Sequence, residues 1–516
     1  MEAGNDGAKD HNEDLLPSLS KSATKMKFER LLDTPLPRFK GKDPGSPFWT
    51  AIGYYSLRKV LQNQFRNIET SGLENIPTST GSLCAAWHTN GLIDPISIMT
   101  THPKKFVIGG RHDLLTRPIL SFWARKFAIQ PVIRKAELLR GGCSEEQATY
   151  LNGRSLLNLS TGITHGFGCV LFPEGTSHSK SKLIRLRTGP MRTVLCSAAL
   201  SRHRGQEDPV IIPVGLHYRV RHLFRTDLWI EYSEPIVLTE IELPSKLIED
   251  VADAKWSEPP AKAVVDLRDE VQRKLFPLTP GENSWADYRA THVLAHLSAR
   301  IKGEKLDTWR KEVLAAREIR DGKGDDVIKE QALVVANSLK RVGLDGRDIN
   351  YNGDGLRKSS IISGIKGTIM LVFCLSMLPL FIISGLPQVI LGRFLGDRTD
   401  EGVDARTSYQ FLAALLGSVI IWPIAAVIFL SIFFLVEVPG VDVTSITNAS
   451  IEAQVLFSLV FIILSPIPFW LIGRTFSWAW DAYTDFKKHL NRIGKKELSK
   501  QILELREAMI ASGRYL

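Results

Sequence analysis

The sequence predicts an α/β fold, continued by amphipathic helices and closed by a C-terminal helical membrane anchor. Three observations carry that reading. Two apolar runs, Ser82 to Trp87 and Gly168 to Phe172, pass directly into polar or Pro-Glu-Gly turns, as buried strands feeding loops do. From Pro244 to about Gly355 apolar residues recur at helical spacing against a charged background. Beyond residue 357 come apolar runs of bilayer-spanning length.

Taken in order, the first 25 or so residues are polar, carry mixed charges and lack an apolar core of the signal-peptide kind. They predict a disordered tail, which is expected to extend to residue 45. Pro47 to Leu61 sets Phe48, Trp49, Ile52, Tyr54, Tyr55 and Leu57 beside Arg58 and Lys59, the pattern of an interfacial amphipathic helix that opens an α/β domain over 46–242. Residues 243–356 predict several amphipathic helices packed on that domain, with stripes such as Val264, Leu267, Val271, Leu275 and then Val293, Leu294, Leu297, Ile301. No chemistry is visible in them.

Residues 357–480 predict the anchor. Phe411 to Val436 and Val455 to Ile472 are runs of spanning length, and Thr368 to Leu391 is a third, interrupted by Pro379, Gly385 and Pro387. The segment from Glu437 to Gln454 has no Lys or Arg, whereas a cluster of basic residues follows the last run, so the positive-inside rule places the C-terminus in the cytosol. A basic α/β domain on the same side then requires an even number of crossings. Thr368 to Leu391 is accordingly expected to be a re-entrant hairpin broken at its prolines, the alternative being a full span with the α/β domain outside. Residues 481–516 predict a basic amphipathic C-terminal helix.

Two short segments about eighty residues apart hold the chemistry: Trp87 to Pro95, containing His88, Asn90 and Asp94, and Phe172 to His178, containing Glu174, Gly175 and Thr176. A neutral imidazole accepts a proton from an alcohol, and a carboxylate on its far nitrogen fixes the tautomer and stabilises the imidazolium. The blander alternative is that Asp94 caps a helix starting at Pro95. Flanking both segments are basic stretches. Lys104 to Arg134 contains seven basic residues against the single acid Asp113, and Lys180 to Arg192 contains five with no acid. Such fields suit phosphate groups or, alternatively, an anionic lipid surface.

Other features narrow the class. A net charge of +10 over 516 residues is too modest for a dedicated nucleic-acid binder. Cys84, Cys143, Cys169, Cys196 and Cys374 are scattered without metal-type spacing, as small core residues of a reducing compartment are. Asp348, Asn350, Asn352 and Gly353 imitate the start of a calcium loop, but Ser359 stands where its bidentate Glu belongs.

On these residues the chain resembles the glycerol-phosphate and lysophosphatidate acyltransferase superfamily, whose members share four ordered blocks. His88 and Asp94 match the first; Arg111, Asp113, Leu114, Pro118 and Arg134 the second; Phe172 to Gly175 with Arg187 and Gly189 the third; and Val210 to Leu216, an apolar strand with a Pro, the fourth. Five residues separate His88 from Asp94 where four are usual, and Ser121 and Ala128 stand where glycines are usual. The branch that includes fungal glycerol-3-phosphate and dihydroxyacetone-phosphate acyltransferases is similar to this chain in having His-x-Asn, three residues, then Asp-Pro, and a His shortly after the Pro-Glu-Gly turn, as His178 is here.

The resemblance implies an acyltransferase-type mixed sheet flanked by helices, and an integral membrane enzyme with its catalytic domain on the cytosolic face, of the endoplasmic reticulum in a eukaryote or of the cytoplasmic membrane in a prokaryote. It implies transfer of an acyl group from acyl-CoA to the 1-hydroxyl of glycerol-3-phosphate or dihydroxyacetone phosphate. His88 would be the base and Asp94 its orienting partner, while Asn90, Arg111, Arg134, Glu174, Gly175, Thr176 and Arg187 would bind substrate. The implied partners are acyl-CoA as co-substrate, a phosphorylated glycerol and the bilayer, with no nucleic acid and no metal or redox cofactor. Two rivals are a lysophospholipid acyltransferase with a bulkier acceptor and a non-catalytic lipid-binding scaffold.

Overall fold

The computed structural model describes residues 26–133, 143–322, 324–358, 361–398, 403–435 and 444–515. Seven strands, β1 (Phe65–Ser71), β2 (Ser82–Ala86), β3 (Phe106–Arg111), β4 (Gln130–Val132), β5 (Gly168–Leu171), β6 (Val210–Tyr218) and β7 (Thr226–Tyr232), form one mixed sheet. Its order is β1-β7-β6-β2-β5-β3-β4, with only the β6–β7 pair antiparallel. All five residues of central β2 are buried. Both faces of the sheet are covered at its centre, so β2, β5 and most of β6 read as continuous apolar runs rather than as an alternation.

Successive β2 side chains point to opposite layers. Cys84 and Ala86 pack beneath α2 (Pro47–Gln64) and α3 (Ile93–Thr101). Leu83 and Ala85 pack beneath α5 (Glu145–Thr164), α6 (Gly189–His203) and α8 (Ala261–Leu275), which follow α1 (Phe28–Leu32), α4 (Pro118–Lys126) and α7 (Ser245–Ala252) in this numbering. The parallel register Ala85↔Leu171 brings the C-terminal ends of β2 and β5 to one edge, from which both chemical segments emerge.

The expected disordered tail does not extend to residue 45. Leu31 of α1 is fully buried with Leu115, Ala124 and Ile133. The guanidinium of Arg125 donates to the Arg30 and Asp33 carbonyls, and that of Arg154 to the Leu32 carbonyl. One apolar anchor and paid-up backbone polar groups are enough to order a short polar segment. Residues 1–25 lie outside the described residues.

Just past α4, Ala128 adopts φ +53°, the left-handed region where a Cβ is strained. This is one of the positions where glycine is usual in the resembling family. Ala128→Gly is therefore expected to stabilise the fold by roughly 0.5–1 kcal/mol, the relief of strain less the extra chain entropy of glycine. A thermal melt in detergent checks this, and a lowered melting temperature would contradict it.

The helical region is tied to the sheet by buried charge. α9 (Trp285–Ile301), α10 (Trp309–Asp321) and α11 (Asp326–Arg341) complete it. Arg219, just past β6, donates to Asp227 at 2.8 Å and to Glu312 of α10 at 2.7 Å. Burial would raise the Glu312 carboxyl, but His296 and Arg219 hold it at about 2.

The anchor comprises α12 (Ile361–Ser384), α13 (Leu386–Asp397), α14 (Val403–Leu435), α15 (Ile451–Leu464) and α16 (Pro466–Arg492). Gly364–Ser384 and Arg406–Leu435 are each long and apolar enough to cross a membrane, and α15 with α16 forms a third apolar unit bent by 42°. The expected interruption at Pro379 is absent, because α12 runs through it and breaks at Gly385. A helix retaining its remaining bonds leaves fewer unsatisfied backbone groups in an apolar medium than an opened chain does. The run expected to span from Val455 to Ile472 is helical with a bend at Ser465.

α12 passes Phe486 at Gly367 and stacks Phe381 on Phe476 at 3.9 Å. Its last carbonyl, at Ser384, accepts from Trp422 Nε1, partway along α14. α13 then returns, bringing Gly396 and Asp397 against Arg406. The start of α14 touches the α/β domain, where Ser408 Oγ accepts from Leu92 N at 2.9 Å and Phe411 is fully buried. Arg66 and Arg225 pair with Asp485 and Asp481 of α16. A cysteine placed between Gly392 and Gln410, on a background without native cysteines, is accordingly expected to label from the side of the α/β domain in sealed vesicles. One placed between Glu437 and Gln454 should label from the other side. The reverse pattern would contradict the hairpin.

The C-terminal segment also differs from expectation. α16 continues unbroken past residue 480 to Arg492, and Gly494 separates it from α17 (Lys496–Ser512). α17 buries Leu498, Ile502, Leu505 and Met509 against α9 and α11, so it belongs to the helical region. The calcium-like segment is structural: Asp348 is buried and accepts from Arg492 at 2.6 Å.

Candidate active site

The loop leaving β2 folds around one carboxylate. Asp94 is fully buried, and its Oδ2 lies 2.8 Å from His88 Nδ1 while accepting from the backbone N–H groups of Thr89 and Asn90, each at 2.8 Å. Oδ1 accepts from Tyr218 Oη at 2.7 Å. Asp94 sits in the first turn of α3 rather than capping it, and Gly91 at φ +47° makes the turn that accommodates the extra residue. A carboxylate only accepts, so His88 Nδ1 carries the proton. His88 Nε2 then presents its lone pair, and it has no hydrogen bond among the described residues. Phe172 stacks on the ring at 3.9 Å and fixes its plane.

Tyr218 is the functional residue that sequence reasoning missed. Burial, reinforced by the Asp94 carboxylate, pushes its hydroxyl well above the usual tyrosine range, so it remains a donor. The signal was available: Ile212, Val214, Leu216 and Tyr218 alternate along β6 and share the layer of α3.

Glu174 holds the two segments together. Its Oε2 accepts from the backbone N–H of His88 at 2.7 Å, and its Oε1 from Ile184 N at 3.0 Å and from His178 Nε2 at 2.7 Å. Its side chain is fully buried. Glu174 thus positions His88 through its backbone, and it also borders the cavity onto which His88 opens. Asn90, expected as a substrate contact, is instead fully buried and donates to the Arg221 carbonyl at 3.2 Å.

His88 opens onto a cavity of about 3360 Å³, bordered also by Gly175, Thr176, Arg111 and Arg187. Gly175 needs its φ of +72° for the turn, and the Arg187 side chain passes over it. Arg111 is engaged in two bonds to Asp113, at 2.6 and 2.7 Å, and Arg117 pairs with the same carboxylate. Burial would raise Asp113, but Arg111 and Arg117 hold it at about 2. The first basic stretch is therefore spent largely on structure. Lys105 lies over the Tyr54 ring and Arg125 binds backbone carbonyls. Cationic residues of the second stretch, among them Lys180, Arg185 and Arg187, border the cavity. Arg134 lies outside the described residues.

In the other direction the cavity runs between α2, α14 and α16, past Leu412, Leu415, Val419, Trp422 and Leu471. One space thus has an imidazole with an open nitrogen, a cationic rim and an apolar branch against the anchor. The cysteines do not compete as nucleophiles. Burial pushes the Cys84 and Cys169 thiols up, and Cys196 to about 12, which keeps all three protonated at neutral pH.

Part of the chain is similar in sequence to known proteins. The Acyltransferase family model matches residues 67–217. Glycerol-3-phosphate O-acyltransferase 2 of Saccharomyces cerevisiae is 29% identical over 167 residues, 31% of this chain and 19% of that enzyme. Glycerol-3-phosphate O-acyltransferase 1 of the same yeast is 29% identical over 119 residues, 23% of this chain and 14% of that enzyme. The matches thus span under a fifth of those relatives' length. Among solved structures, the 1-acyl-sn-glycerophosphate acyltransferase PlsC of Thermotoga maritima covers 42% of this chain and 79% of its own, at 16% identity and a TM-score of 0.27. The family match takes in the β2 loop with His88 and Asp94 as well as the β5 turn with Glu174, so residues 67–217 of this chain are an Acyltransferase-family region, similar in part to the yeast glycerol-3-phosphate O-acyltransferases.

Proposed function

We propose that this protein transfers a fatty acyl group from acyl-CoA to the 1-hydroxyl of glycerol-3-phosphate or dihydroxyacetone phosphate at a membrane surface, with the active site on the cytosolic side. The observation that supports it most is the open Nε2 of His88, backed by an Asp94 whose two oxygens are filled by four donors. The acceptor hydroxyl gives its proton to Nε2 as its oxygen attacks the thioester carbonyl. Collapse of the tetrahedral adduct breaks the C–S bond, and the departing thiolate takes the proton back from the imidazolium. Asp94 stabilises that imidazolium without itself being protonated.

The rest of the cavity is assigned accordingly. Arg187 grips the acceptor phosphate, joined by Arg134, and Gly175 and Thr176 shape the wall beside it. The acyl chain follows the apolar branch toward Trp422 and Leu471. Arg111, bound to Asp113, is retained only as a rim charge.

The test is acyl transfer by the purified full-length protein, using labelled acyl-CoA and four acceptors: glycerol-3-phosphate, dihydroxyacetone phosphate, lysophosphatidate and glycerol. The proposal expects a phosphorylated three-carbon acceptor to give the highest kcat/KM. A preference for lysophosphatidate would move the reading to the lysophospholipid rival. Absence of transfer to every acceptor would leave the scaffold.

A further inference from the structure

α9 carries two faces, and only one is core. Val293, Leu294 and Leu297 pack against α11 and α17. Trp285, Tyr288, Arg289, His292 and His296 recur at spacings of three and four, so they share another face, and all five border the same cavity as His88. The rings on this face are continuous with the catalytic loop. Trp87, adjacent to His88, lies 6.3 Å from Trp285, and Trp285 lies 5.6 Å from Tyr288. Tyr288 meets His292 at 4.5 Å, and His292 stacks on Trp309 of α10 at 5.1 Å. Trp285 Nε1 donates to the Ser179 carbonyl, which pins this row to the loop that follows Glu174.

Cations interleave with the rings. Arg221 lies over Trp285 and Arg219 over Trp309. Arg219 is consumed by Asp227 and Glu312. Arg289 is different, because it makes no ion pair or hydrogen bond among the described residues, and its Nε is buried without a partner. His292 Nε2 is likewise buried and unpartnered. Lys340, exposed on α11, borders the cavity as well. Unfilled donors beside a row of aromatic rings fit a ligand with both a planar base and phosphates.

We infer that this face of the helical region binds the nucleotide half of the thioester donor, with the adenine on the Trp285–Tyr288 surface and a ribose phosphate on Arg289. The inference rests on the acyl-CoA reading and extends it, assigning a role to helices in which no sequence motif appears. A phosphorylated glycerol has no ring to stack, so the aromatic row distinguishes the donor from the acceptor. The pantetheine arm then runs along Trp87 and His178 to the thioester in front of His88.

The experiment is calorimetric binding of coenzyme A and of 3′-dephospho-coenzyme A to the full-length protein in detergent, with Trp285→Ala, Trp285→Phe and Arg289→Gln alongside wild type. Trp285→Ala is expected to weaken coenzyme A roughly tenfold through loss of stacking, and Trp285→Phe to recover most of it. Arg289→Gln is expected to erase the wild-type preference for the 3′-phosphorylated form. In turnover, both Trp285→Ala and Arg289→Gln should raise KM for acyl-CoA and not KM for the acceptor. They should also shrink the advantage of acyl-CoA over an acyl-pantetheine donor that lacks the nucleotide.

Unchanged coenzyme A affinity in all variants, or a penalty shared equally by acyl-pantetheine, would overturn the assignment. If Trp285→Ala fails to fold, Trp285→Phe and Arg289→Gln still decide it. Coenzyme A binding that follows this pattern without transfer to any acceptor would sink the proposed reaction and keep the site. Transfer from acyl-CoA whose KM none of the variants changes would do the opposite.

Discussion

His88→Ala is expected to lower kcat by roughly a hundredfold to ten-thousandfold, the usual worth of a positioned general base. It should leave the protein folded and membrane-bound. The ring's Nε2 supports no other part of the fold among the described residues, and the clamp from Glu174 reaches His88 through its backbone N–H, which alanine retains. Steady-state acyl transfer together with a thermal melt separates the two effects. Activity within a few-fold of wild type would remove His88 from the chemistry, whatever the melt shows.

Asp94→Asn is the second large effect, and its mechanism differs. The amide oxygen at the Oδ2 position still accepts from His88 and the two backbone N–H groups, while the amide nitrogen at the Oδ1 position donates to the Tyr218 oxygen, which also accepts. The fold is thus expected to survive, but the charge that stabilises the imidazolium is gone, with a loss in kcat of roughly a hundredfold to ten-thousandfold. Asp94→Ala should add a stability defect to the same rate loss. It strands buried donors, each costing roughly 1–3 kcal/mol. An Asp94→Asn enzyme with normal kcat, or one that melts as badly as Asp94→Ala, would show that the carboxylate serves only as a structural anchor.

Legibility in the sequence followed how local each feature is. The strand ends at Trp87 and Phe172, and the carboxylate six residues past His88, are encoded within a few positions of one another, and they appear where the sequence reading places them. Glu174 was legible as a site residue but not in its role, because nothing in Phe-Pro-Glu-Gly says that the side chain turns back into the protein to hold a backbone N–H in another loop. Tyr218 was legible only by continuing the strand alternation two residues past the apolar run. The cavity-facing stripe of α9 was hidden by the apolar stripe on the same helix, since a helix with two covered faces has no single polar side to exclude. Leu31 and the start of α14 depend on contacts with partners more than eighty residues away, and composition carries no trace of those.

The central claim, that His88 takes the proton of a phosphorylated glycerol, is tested most directly by a structure of the full-length protein with glycerol-3-phosphate and a non-transferable thioether analogue of acyl-CoA. The account predicts the 1-hydroxyl oxygen within about 2.6–3.2 Å of His88 Nε2, with the phosphate directed toward Arg187. A bound acceptor whose hydroxyl lies out of reach of that nitrogen, while the donor carbonyl is seated before another group, would contradict it.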